Sequence, residues 1–166
     1  PSVLKYFSSL LPFALCVSLL LASTTFTSAA LLNLFGQRVL FALVVCLPLY
    51  RTGRMSYVDI GWPFGIVVIS AVVFAILDGY APRVATISLI YLLVGGRMGL
   101  MALGHLRHGD LQDELPRYAY QRRRWAKTGK DNSMLAAQSE VIAQGAFNAS
   151  FLAYPAFTIG ANPTPT

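Results

Sequence analysis

Long apolar runs, broken by charge at a few points, govern the reading of this chain. No residue between Lys5 and Arg38 is charged, and residues 10–32 exceed the roughly 20 needed to cross a bilayer core as a helix. This is the first expected span. Its Ser/Thr content from Ser23 to Ser28, followed by Ala29 and Ala30, also fits the end of a secretory signal, and both readings stay open here. A second run, 35–50, crosses if Arg38 snorkels its guanidinium to the headgroups. The third, 60–77, has Asp59 placed as an N-cap and Pro63 in the first turn, where backbone N–H groups lack helical acceptors. The fourth, 84–104, contains Arg97. The fifth, 135–159, is uncharged after Glu140 but carries Gln138, Gln144 and Asn148. A basic loop, 106–133, separates the last two, and the Thr/Pro tail, 160–166, is expected to be extended.

Composition agrees with the runs. Of 166 residues 55% are hydrophobic and 12% charged, with mean hydropathy +0.57, whereas soluble domains carry about a quarter charged residues. That excludes an ordinary soluble domain and a disordered chain. No ten-residue alternation of the outer-membrane barrel type repeats, so the expected fold is all-α: one membrane domain, a polytopic bundle of about five transmembrane helices. Cys16 and Cys46 lie in apolar runs, where a thiol acts as a small hydrophobe, and they imply neither a disulfide framework nor a metal site.

The net charge of +6 reads first as topology. With five crossings, Lys5, Arg51, Arg54, Arg107, Arg117, Arg122, Arg123, Arg124, Lys127 and Lys130 fall on one side, and Arg38 and Arg83 on the other. The basic loop and the N-terminus are therefore expected on the cytoplasmic, matrix or stromal side. Nucleic acid is not an expected partner, because Asp110, Asp113 and Glu114 interrupt the basic patch. Membrane lipids are, and the loop's Arg, Lys, Tyr and Trp suit either anionic headgroups or a dinucleotide phosphate.

Several residues carry candidate chemistry. Asp59 is either an intramembrane acid or the N-cap. Arg97 lies ten residues before Arg107, about 15 Å along a helix, and is expected to need Asp59, Glu140 or a ligand phosphate as partner. Gly95, Gly96 and Gly99 beside it permit close approach of a helix or ligand. Glu140, Gln144 and Asn148 recur every four residues and share one helix face, expected to meet neighbouring helices or a polar cavity. His105 and His108 suit a solvated interface better than a metal or tetrapyrrole, since no carboxylate or Cys stands at ligand spacing.

The ordered segments SYVDIGWPFG (56–65), GGRMGL (95–100) and DELPRYAYQRRRW (113–125) resemble the steroid 5-alpha-reductase-like superfamily of membrane reductases, over residues 55–155. The resemblance implies NADPH-dependent reduction of an activated carbon–carbon double bond in a steroid, polyprenoid or other lipid. It implies cofactor-binding roles for Arg97, Glu114, Arg117, Tyr118 and Trp125, and places Asp59 and Trp62 in the first motif. Two departures stand against it. Leu115 and Pro116 separate Glu114 from Arg117, and the family's cofactor-binding Ser-Arg-His-Pro-Asn-Tyr-type segment is absent, as in a relative shortened at its C-terminus. The expectation is thus a non-catalytic scaffold, an accessory subunit among other membrane subunits, with no catalytic residue, no metal and no cofactor on this chain alone. The alternative is the NADPH-dependent reductase, its missing half supplied elsewhere; a pigment or quinone binder is a third reading.

Overall fold

Helices form along the apolar runs, but not always with the expected boundaries. The structure, a computed structural model, describes residues 4–111, 113–130 and 133–165, with side chains from Tyr6 onward. The expected placement of the Lys5 charge, of Asp131 in the basic segment and of Thr166 in the tail lies outside the described residues. Two short helical turns, Leu4–Phe7 and Ser8–Leu10, lead into α1 (Leu11–Ala22). Then come α2 (Thr27–Thr52), α3 (Val58–Ile76), α4 (Ala81–His108) and α5 (Pro116–Lys127). Last is α6, unbroken through Ser133–Phe147, Asn148–Leu152 and Ala153–Gly160. There is no strand among the described residues.

The first two expected spans are corrected. Residues 10–32 do not form one helix, because the chain turns at Ser23–Phe26. The Ser23 carbonyl accepts the N–H groups of Phe26 and Thr27, and Thr27 Oγ1 donates back to Leu21 O at 3.0 Å. Hydroxyl side chains offer the backbone an alternative to the helical ladder there. Residues 27–32 therefore open α2, and Arg38 sits mid-helix rather than at a boundary. The basic loop, 106–133, is corrected too, since 106–108 continue α4 and all of 116–127 is helical.

Among the described residues three helices, α2, α3 and α4, are long and apolar enough to cross a membrane, and Ser8–Ala22 is a shorter apolar helix; α6, the expected fifth span, is not one of the three. The chain is a membrane-embedded helical bundle. Central α3 packs between α2 and α4, with α6 against it and α1 on α6. Two large apolar clusters fill the interior beside a small third of Ile60, Ala102 and Leu111. One, toward the Leu77 end, gathers Leu20, Ile69, Val73, Ala156 and Phe157; the other, at the opposite end, gathers Phe41, Leu49, Met55, Trp125 and Val141.

A polar layer separates them. Gln37 Nε2 donates to Asn33 Oδ1 (3.1 Å) and to Gly65 O (2.8 Å), and Asn148 Nδ2 donates to Trp62 O (3.0 Å). All three amides are buried, in keeping with the high cost of an amide facing lipid. Gly65 makes the layer possible: a Cβ there would stand against Asn148 Nδ2 and 2.6 Å from Gln37 Oε1. A π-turn interrupts each of α2 and α6, and a side chain from another helix bonds the carbonyl of its last residue. Cys46 O, closing the turn Ala42–Cys46, accepts from Gln138 Nε2 (3.0 Å), and Leu152 O, closing Asn148–Leu152, accepts from Tyr91 OH (2.9 Å). Pro48 follows the first turn and has no N–H to return to Val44.

Candidate functional site

The site lies where α5 crosses the ends of α3, α4 and α6. Pro116 takes the first position of α5, where its fixed φ and missing N–H cost the helix nothing. Before it, Glu114 turns back: Oε1 accepts Met55 N–H (2.8 Å) and Oε2 accepts Arg122 Nε (3.0 Å). Arg122 also donates to Gly53 O, Leu115 N–H to Ser56 Oγ (3.3 Å) and Arg54 Nη1 to Leu111 O (2.8 Å). On the inner side of α5, Trp125 is buried among Leu49, Met55 and Tyr6. Glu114 and Trp125 therefore fasten α5 to the bundle. Truncating Glu114→Ala leaves the Met55 N–H unpaired and Arg122 without its carboxylate, and the partly exposed pair sets the expected loss at about 2 kcal/mol, read from denaturant unfolding in micelles.

So anchored, the first turn of α5 presents Arg117 and Tyr118 to Asp59. Tyr118 OH donates to Asp59 Oδ1 at 2.9 Å, Arg117 pairs with Asp59 Oδ2, and the Arg117 guanidinium lies 4.9 Å from the Tyr118 ring centre. Burial, reinforced by the Asp59 charge, pushes the Tyr118 phenol well above its ordinary range, so it stays a neutral donor. Asp59 is thus not the expected N-cap; Tyr57 holds that position without a side-chain cap bond, and Pro63 lies inside the helix rather than in its first turn. The carboxylate instead faces α5.

Beneath this trio a cavity of about 720 Å³ opens. Asp59, Trp62 and Pro63 line it from α3, Met98, Met101, Ala102 and His105 from α4, and Glu140 and Gln144 from α6. Gln144 Nε2 lies 3.4 Å from Glu140 Oε1. At the rim His105 Nδ1 meets Asp110 Oδ2 at 2.8 Å, both side chains exposed, as an interfacial histidine should be. His108 bonds Gly104 O (2.8 Å). No group of three metal-ligating side chains exists among the described residues.

The expected site residues thus separate. Asp59, Trp62, Arg117, Tyr118, Glu140 and Gln144 meet at the cavity, whereas Asn148, one turn deeper, belongs to the buried amide layer. Arg97 is exposed on the outer face of α4 and pairs with neither Asp59 nor Glu140. Gly95 and Gly99 serve packing, a Cβ there falling 2.6 Å from Pro63 O and 2.9 Å from the Phe64 ring, while Gly96 has open space beside it. Sequence reasoning missed Asn33 and Gln37, although two amides four residues apart in an apolar run signal an inward polar contact.

No protein-family model, curated protein or solved structure matches this chain.

Proposed function

We propose that this protein is a non-catalytic membrane scaffold, a subunit of a larger membrane complex, whose cavity holds the polar end of a lipid-class molecule. One observation carries the reading. Of the five residues that the resemblance to the reductases assigns to cofactor binding, only Arg117 and Tyr118 reach the cavity; Glu114 and Trp125 are spent on anchoring α5, and Arg97 points outward. A dinucleotide needs several cationic and aromatic groups converging on it, and hydride transfer needs its ring fixed at near-attack distance. What does converge is a neutral phenol, a carboxylate–guanidinium pair, and the Glu140 carboxyl beside the Gln144 carboxamide, over Met, Trp and Pro surface. Such a wall suits a carbonyl or hydroxyl head with an apolar body.

The reductase remains the second reading, favoured by the Tyr118–Asp59 hydrogen bond, which sets a protonated phenol in the cavity wall as a proton donor would be. Sidedness belongs to the same proposal. Nine cations, from Arg51 to Lys130, lie at the cavity end and Arg83 at the other, which favours the cytoplasmic, matrix or stromal side for the cavity; labelling of Thr128→Cys from the opposite compartment would refute that.

Native mass spectrometry of protein extracted in mild detergent tests the cavity reading. The expected result is one retained lipid-class molecule per chain, reduced about tenfold in Met101→Trp, which narrows the cavity, and weakened several-fold in Gln144→Leu. A chain that carries no such molecule, or carries it equally in both variants, contradicts the reading.

A further inference from the structure

The outer face of α4 carries a charge that the bundle does not meet. Its inward stripe is Val84, Ser88, Gly95, Gly99 and Ala102. Arg97 stands two residues beyond Gly95, about 200° round a helix of 3.6 residues per turn, and so opposite that stripe. It is exposed, with Leu93 (61% exposed) and Leu100 (68%) a turn away on either side. Among the described residues no acidic side chain pairs with it. The most apolar stretch of α4 is only 22% buried, against 50% for α3.

The ordinary escape of such a charge, snorkelling to the headgroups, is a long reach here. Eight residues carry α4 from Arg97 toward its nearer end to the exposed His105, about 12 Å. Helical Cβ bonds tilt toward the N-terminus, so the side chain sets out away from that nearer end. Gly95 packs against Pro63 and Gly99 against Phe64, which puts Arg97 level with the Gly65 region of α3, the level that Gln37 reaches from α2. Arg38, next to Gln37, is also exposed there, so two spans present an outward guanidinium at one depth. A lipid phosphate would have to leave the headgroup region to meet them; a carboxylate on a helix already at that depth would not, and Arg pairs with carboxylate bidentately. A second copy of this chain supplies none on its outer face at this level, since the described carboxylates lie in the cavity or toward the helix ends.

We propose that the outer face of α4 is a subunit interface, where Arg97 pairs with an Asp or Glu carboxylate on an apolar transmembrane helix of a different protein. Gly96 and Gly104, with open space where a Cβ would stand, let that helix approach. The proposal rests on the subunit reading above but not on what fills the cavity.

The test places benzoylphenylalanine at Leu100 in the full chain in its native membrane, irradiates, and maps the adducts at the peptide level. The expected adduct joins position 100 to an apolar segment of another protein bearing Asp or Glu. Its yield falls about tenfold in Arg97→Gln and in Arg97→Glu, the size an interhelical polar contact reaches in a membrane. It persists in Arg97→Lys, and returns in Arg97→Glu when the mapped acid is changed to Arg. Adducts to lipid alone, to a second copy, to a segment without a carboxylate, or of unchanged yield in Arg97→Gln overturn the proposal. Lipid retention in the cavity, measured on the same samples, is expected to be the same in all Arg97 variants, so failure here is distinct from failure of the cavity reading.

Discussion

Gly65→Ala is expected to destabilise the bundle by about 3 kcal/mol. The new Cβ would press on Asn148 Nδ2 and Gln37 Oε1, and neither amide is the free end of a side chain. Gln37 is tied to Asn33 and Gly65 and Asn148 to Trp62 O, so making room breaks hydrogen bonds in a layer that water does not reach. Overpacking accounts for about 1–3 kcal/mol and an orphaned buried amide for a similar sum. Gly96→Ala is the control: nothing stands within 4 Å, and exchange of a helical glycine for alanine is expected to be neutral or to stabilise by up to about 1 kcal/mol. Unfolding in micelles reads both, and equal effects would dismiss the amide layer as a packing constraint.

Phe157→Ala is the second large effect, expected at about 4 kcal/mol. Phe157 is fully buried in the cluster around Ile69, Val73 and Ala156, with Phe26 6.3 Å away between ring centres. Within a membrane, helices gain little from leaving lipid, so shape-matched dispersion contacts hold them together and a cavity forfeits those contacts outright. Large-to-small core changes of this kind cost about 3–5 kcal/mol. Leu100→Ala, on the outer face, removes a side chain 68% exposed and should change stability little. A loss below about 1 kcal/mol for Phe157→Ala would mean that α6 does not pack there as described.

Hydropathy alone makes the helical class and the third and fourth spans legible, because apolar length and helix length coincide from Val58 to His108; the expected fifth span forms a helix, α6, whose amides keep it out of the membrane-crossing set. The early boundaries were not. Apolar content does not distinguish Ser23–Phe26, where hydroxyls divert the backbone, from the helix that follows, and Arg38 resembles a boundary only if every charge is assumed to end a span. The site was partly legible. Asp59 and Tyr118 stand 59 residues apart, and their order within motifs pointed to one site. Which way each helix turns its faces was not in the motifs. Arg97 and Glu114 carry the same type of charge chemistry as Arg117 and Asp59, yet rotation about α4 sends one outward and the turn before Pro116 sends the other back to Met55. Periodicity did foretell the inward stripe of α6, for the reason that an amide has few tolerable positions in a membrane, but not that Asn33 and Gln37 would meet it from α2.

Calorimetry with NADPH at low and physiological salt bears most directly on the claim that the cavity is a lipid site and not a cofactor site. Arg123 and Arg124 are exposed, where ion pairs are worth about 0–1 kcal/mol each and charges are screened beyond about 8 Å at physiological ionic strength. The account predicts at most weak binding, abolished at physiological salt and unchanged in Tyr118→Phe. Micromolar affinity that resists salt and is lost in Tyr118→Phe and Arg117→Ala would contradict it and establish the reductase reading instead.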